Sequence, residues 1–323
     1  MSQAHTLGAF AVLMALSGAF NPLYRVGADA MMADLIPIEK RVDAYSLMRM
    51  SNNIGVALGP TVGGFVATAS YTVTFCLAAG GMLAYSMLLA TSAAETLPSV
   101  MPAPVASAGS PSRPERLRGY GRVISDRSFT LFTIASTLTQ VCSAMIWVLL
   151  AVYAKEHYAV PENLYGFIPI TNALMVVSLQ VWVTRGTKQF PPLGVLAAGA
   201  LIYAIAVSSV AWGTGFWSFW LSMVVLTMGE LMIVPTATTY VANLAPATMR
   251  GRYMSIYGLT WSVAAGIGPL WGGLLADHVG PRATWYGAGF AGLLSVVLLV
   301  VLARGAVSSR RTAPQEGRGA EVR

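Results

Sequence analysis

Only 10% of this 323-residue chain is Asp, Glu, Lys or Arg, while 55% is hydrophobic, so the charges that fall inside apolar stretches are the first candidates for chemistry. A charge in hydrocarbon is costly and marks an ion pathway, a relay or a gate. Glu230, in Met228-Gly229-Glu230, lies within such a stretch. No cation is foreseen beside it, and a carboxyl in a dry site has its charged form disfavoured. It is therefore expected to take up and release a proton or to recognise a cation. Arg25 and Asp29 stand one helical turn apart and are expected to pair, as a structural or gating ion pair. Arg49, one turn into the next apolar stretch, is expected to snorkel to the surface or to assist a gate. Ser136, Gln140, Ser143 and Trp147 fall on one helical face and, with Asn172, Gln180, Tyr257 and Trp261, are candidates to line a cavity. For each of them the competing role is interhelical packing.

Other chemistry is missing. Cys76 and Cys142 sit in apolar segments, His5, His157 and His278 are scattered, and neither a metal set nor a disulfide framework follows from them. Gly287-Ala288-Gly289-Phe290-Ala291-Gly292 has the spacing of a dinucleotide loop. No strand precedes it and it lies in an apolar segment, so it reads as small-residue packing. No phosphate-loop lysine or nucleophile elbow occurs, so neither a cofactor nor an enzymatic activity is expected.

The elements that must position these residues are helices. Nine apolar segments are long enough to cross about 30 Å of hydrocarbon. They lie near Leu7–Ala33, Ala44–Ala67, Val73–Thr91, Phe129–Tyr153, Tyr165–Val183, Leu193–Trp212, Phe216–Val241, Tyr253–Leu275 and Thr284–Ala303. The fold class is an all-α membrane protein. The first segment lacks a basic leader and carries Pro22, Arg25 and Asp29 at its far end, unlike a cleavable signal. Lys40, Arg41, Arg113, Arg116, Arg118, Arg122, Arg127, Arg185, Lys188, Arg250, Arg252 and the arginines of the tail fall on one side; Lys155 and Arg282 fall on the other. The basic side is expected to be cytoplasmic, with the C-terminus inside and the N-terminus outside. The net charge of +7 is thus a topology signal and not a nucleic-acid footprint. Arg outnumbers Lys and no Asn-x-Ser/Thr acceptor occurs, which suggests a bacterial inner membrane. A proline-, serine- and arginine-bearing stretch, 94–127, reads as a cytoplasmic linker between a three-span bundle (1–93) and a six-span bundle (128–305), with a tail at 306–323.

One stretch organises the rest. Gly55, Gly59 and Gly63 recur every four residues, with Pro60 and Gly64 among them, and Gly268-Pro269-Leu270-Trp271-Gly272-Gly273 repeats the pattern 209 positions after Gly59. The same offset matches Ala33/Ala242, Leu35/Leu244, Pro37/Pro246, Arg41/Arg250 and Ser46/Ser255. Glycines at this spacing share one helix face and let a partner backbone approach, and a proline bends the helix. Internal repeats are how many secondary transporters are built. With these motifs the chain resembles the major facilitator superfamily, whose fold has twelve helices in two halves, beginning here at the family's fourth helix. The stretch Ser46-x8-Gly55-x3-Gly59-Pro60-x2-Gly63-Gly64 resembles the antiporter motif of its drug/proton antiporters, departing at Ser46. The resemblance implies a central cavity lined by the first, fourth and seventh segments, with the third, sixth and ninth peripheral. It further implies a monomeric, proton-coupled exporter of small organic or amphipathic compounds working by alternating access in the lipid bilayer. A facilitator or importer of sugars or metabolites, and a non-transporting remnant or scaffold, are the alternatives.

Overall fold

The computed structural model describes residues 26–92 and 120–312, and no strand occurs among them. Residues 26–35 form α1, which a short turn of 3₁₀ helix joins to α2 (Arg41–Ala69) and α3 (Tyr71–Ser92). Residues 120–125 form α4, followed by α5 (Arg127–Tyr158), the short α6 (Glu162–Tyr165) and α7 (Phe167–Thr187). The chain continues with α8 (Pro192–Ser209), α9 (Phe216–Leu244), α10 (Arg250–His278) and α11 (Ala283–Thr312). Local chemistry sets the ends. Asp126 caps α5 by accepting from the Phe129 N–H at 3.1 Å, and Pro192 opens α8 at the position where its missing N–H costs nothing.

Seven helices among the described residues are long and apolar enough to cross a membrane. The first expected segment lies mostly outside the described residues. Helix α2 is not one of the seven, since Arg49, Asn52, Asn53 and its glycines dilute its apolar character.

Helices α5, α8, α9, α10 and α11 form the core, with α7 laid against α9; α2 packs on α7 and α9, and α3 touches α2. Apolar side chains gain little by leaving lipid for one another, so close approach and interhelical hydrogen bonds must hold such a bundle. Both are present. A Cβ at Gly199 of α8 would lie 3.1 Å from the Gly229 carbonyl oxygen of α9, and one at Gly292 of α11 would lie 2.9 Å from the Ala204 Cβ of α8. Thr139 and Ser295 join α5 to α11 at 2.7 Å, and Ser209 and Ser222 join α8 to α9 at 2.8 Å. The glycines of the 287–292 stretch thus seat α11 on its neighbours.

Helix α8 corrects an expectation. As the sixth apolar segment it is expected at the lipid-facing periphery, yet it is the most enclosed of the seven spans, whereas none of the described α3 span is buried. Lack of charge suits lipid and protein interior equally; the small residues Gly199, Ala200 and Ala204 decide the matter by letting α9 and α11 close on α8.

Candidate functional site

Arg49 and Glu230 occupy a largely buried interface between α2 and α9. Arg49 lies roughly 12 Å along α2 from its first residue, and Glu230 is at the midpoint of α9. The Arg49 Nη2 stands 2.8 Å from the Glu230 Oε1, with side-chain exposures of 7% and 17%. The Arg49 Nη1 also donates to the Glu230 carbonyl oxygen at 3.2 Å. Asn172 of α7 completes the cluster, donating from Nδ2 to the Glu230 Oε2 at 2.6 Å and to the Thr227 hydroxyl at 2.9 Å.

Two sequence expectations change here. Glu230 has a cation beside it, and Arg49 turns inward instead of snorkelling. A guanidinium about two turns into a helix can still reach toward water along its flexible stem, but the Glu230 carboxylate offers it a charged partner at once. Polar residues continue from this pair toward the start of α2. Gln180 of α7 donates to the Leu231 carbonyl oxygen and to the Thr184 hydroxyl, both at 3.0 Å, and Thr184 bonds Ser46 of α2 at 2.7 Å. Lys188 pairs with Asp43 at 3.0 Å at the exposed end.

At that end the repeat closes on itself. Arg250, the first residue of α10, pairs with Asp34 at the end of α1. Arg41, the first residue of α2, donates to the Asn243 Oδ1 at 2.5 Å and to the Ile36 carbonyl oxygen at 3.1 Å. The 209-residue offset relates Arg41 to Arg250 and Asp34 to Asn243, so each arginine holds the residue equivalent to its counterpart's partner. Both arginines start helices, where the macrodipole disfavours a cation, so these partners offset that cost. Asp34 and Asn243 were absent from the sequence candidates. Extending the repeat alignment to unlike residues would have found them.

The remaining candidates are scattered. Ser136, Gln140 and Tyr257 line a void of about 10 Å³ among α5, α8, α9, α10 and α11, room for a single water. Ser143 is buried and bonds Tyr203 of α8, and Trp147 packs on the core. Trp261 is 39% exposed. Arg25 lies outside the described residues, so its pairing with Asp29 does too; the Asp29 carbonyl oxygen accepts from the Tyr45 hydroxyl at 2.7 Å. Among the described residues nothing lies within 4 Å of a Cβ built at Gly55. The surroundings of Gly59, Pro60, Gly63 and Gly64 fall outside the description. In the second copy Gly268 and Gly272 are buried against α5, α10 continues as helix through Pro269, and Gly273 is open.

Comparison with known proteins adds an independent line. The sequence model of the Major Facilitator Superfamily matches residues 1–185 and again residues 132–323. The chain is 28% identical over 299 residues to a Na(+), Li(+), K(+)/H(+) antiporter of Planococcus maritimus, covering 86% of this chain and 68% of that protein. It is 24% identical over 289 residues to the multidrug resistance protein MdtH of Escherichia coli, covering 88% and 69%. The chain thus spans about two thirds of the length of these curated relatives. Among solved structures it resembles the human organic anion transporter MFSD10 (TETRAN) with a TM-score of 0.68 at 18% identity, over 84% of this chain and 66% of that one.

Proposed function

This chain belongs to the major facilitator superfamily, and on that premise we propose that it exports small organic, amphipathic or cationic compounds in exchange for protons, with the Arg49–Glu230 pair as the coupling element. The observation that carries this reading is a buried ion pair shared between a helix before the linker and one after it. Alternating access requires the two sides to part around a midplane site. Parting strands two charges in a low-dielectric interface, which costs several kcal/mol when one partner of a buried pair is lost. A proton on Glu230 removes one of those charges and the attraction with it. Proton uptake and opening of the α2–α9 interface are then one event.

The excess of Lys and Arg at the Arg41 end supports placing that end at the cytoplasm of an inner membrane. The paired contacts at Arg41 and Arg250 then hold the cytoplasmic side closed. Both partners of the pair come from a single copy, which supports a working monomer. Asn172 and Thr227 orient the carboxylate. The relatives described as an antiporter and a multidrug resistance protein support exchange-driven export.

Glu230→Gln keeps the shape of the protonated acid. In proteoliposomes it should abolish movement of sodium or a lipophilic cationic dye driven by a pH gradient, while sparing dye-for-dye exchange. The double variant Arg49→Gln, Glu230→Gln strands no charge and controls for folding. Gradient-driven rates equal to the unsubstituted protein across the neutral pH range would rule out the coupling role.

A further inference from the structure

Far from the ion pair, at the opposite end of α5, the ends of α5 and α10 and the start of α11 enclose an open cavity of about 590 Å³. That volume is in the range of sites for small organic ligands. Its walls are aromatic. Tyr153 and His157 stack with centroids 4.9 Å apart and an interplanar angle of 28°, Tyr158 lies 5.6 Å from Tyr153, and Tyr286 closes the far side.

Arg282 is the single Lys or Arg of this lining, and no lining residue is acidic. Its position is fixed by the backbone. Gly280 takes φ 133°, a conformation side-chain-bearing residues rarely adopt, and the Ala283 N–H closes the turn on the Gly280 carbonyl oxygen at 2.9 Å. The turn sets Arg282 directly before the N-terminus of α11, whose partial positive charge adds to that of the guanidinium. The Arg282 guanidinium donates a hydrogen bond to the Tyr158 hydroxyl oxygen, which pushes the pKa of Arg282 up from its ordinary value, so its charge is secure.

The depth of the cavity indicates the source of its ligand. Trp212 packs on Tyr286 at 5.8 Å, and Trp217 and Trp220 lie 6.0 Å apart at the start of α9, at the same end of the bundle. Such rings gather at the level of lipid headgroups. Val279, in the wall, is 74% exposed, so the cavity opens outward.

We propose that this cup binds a phosphate oxyanion, with Arg282 on its oxygens and the stacked Tyr153 and His157 rings against the group it is esterified to. At headgroup depth the source is an anionic phospholipid that ties α5 to α11. The test uses purified, delipidated protein titrated with phosphatidylglycerol, phosphatidylcholine or inorganic phosphate, read by native mass spectrometry and by thermal unfolding.

Phosphatidylglycerol should be retained in preference to phosphatidylcholine, and Arg282→Gln should weaken that retention by about tenfold, the size of one charge-assisted hydrogen bond. Tyr158→Phe, which frees the guanidinium, should weaken it less. Arg304→Gln, at the other end of α11, should change nothing, and Arg282→Gln without added lipid should melt like the parent. Binding of inorganic phosphate alone, also lost in Arg282→Gln, assigns the same site to a soluble anion. If neither phosphatidylglycerol nor phosphate gives a gain that depends on Arg282, the site does not exist.

Discussion

The two Gly-Pro helices are built from the same pattern, and among the described residues they meet different surroundings. In α10 a Cβ at Gly272 would lie 2.6 Å from the Leu149 Cδ1 and 2.7 Å from the Met145 Cε, and one at Gly268 would lie 3.4 Å from the Val141 carbonyl oxygen. In α2, among the described residues, a Cβ at Gly55 meets nothing within 4 Å. The pattern therefore encodes a surface that can accept a helix backbone, and the neighbour that the topology brings alongside decides whether it is used. Helix α5 fills that place for α10. The helix starts differ in the same way, because Arg250 faces a carboxylate at Asp34 where Arg41 faces a neutral amide at Asn243.

Substituting the glycines breaks the comparison most severely. Gly272→Leu forces Leu149, Met145 and Thr284 apart and should cost about 3 kcal/mol, read as a loss of detergent-resistant folded protein on heating. Gly55→Leu should leave the melting curve nearly unchanged. An equal loss at both positions would show that the α2 face is covered as tightly as that of α10.

A smaller effect is expected at the helix starts. Asp34→Asn replaces an ion pair by a hydrogen bond from the guanidinium to a neutral amide, a difference of about 1 kcal/mol. It should favour opening at that end, raising labelling of a Ser46→Cys reporter by an impermeant maleimide by roughly fivefold. Ser46 is 2% exposed and bonded to Thr184, so only opening uncovers it. Asn243→Asp should slow labelling by a similar factor, because Arg41 then gains a carboxylate. Movement of both variants in one direction would mean that the two ends are not equivalent parts of one closure.

The slightest change belongs to Lys188. Its pair with Asp43 is 42% and 41% exposed, so Lys188→Ala should shift stability by about 0.5 kcal/mol or less and leave the reporter unaffected. A large opening effect would make this pair part of the closure instead of a solvated contact.

Much of the architecture was legible because it follows from composition and period. The hydrocarbon thickness selects long apolar runs, and the sequence places the seven helical spans where the structure has them, near Val73–Thr91 and from Phe129 onward. The 209-residue repeat was equally plain. The candidate site was less so: Glu230 and Arg49 were both singled out, as intramembrane charges always are, but not as each other's partner. They are 181 positions apart and match different residues of the repeat, with Arg49 opposite Gly258, so no local rule links them.

By itself, then, the sequence determined that the chain is helical, membrane-spanning and internally repeated, because those properties depend on how each residue partitions between water and hydrocarbon. It marked which charges would be costly. Only the tertiary structure decided who neutralises whom. Arg49 could have reached water, yet it turns to Glu230 because α2 crosses α9 at that depth. Gly272 is buried and Gly55 open because α5 lies against one helix, while among the described residues nothing meets Gly55 on the other. Pairing and packing depend on distance between elements, which no single segment contains.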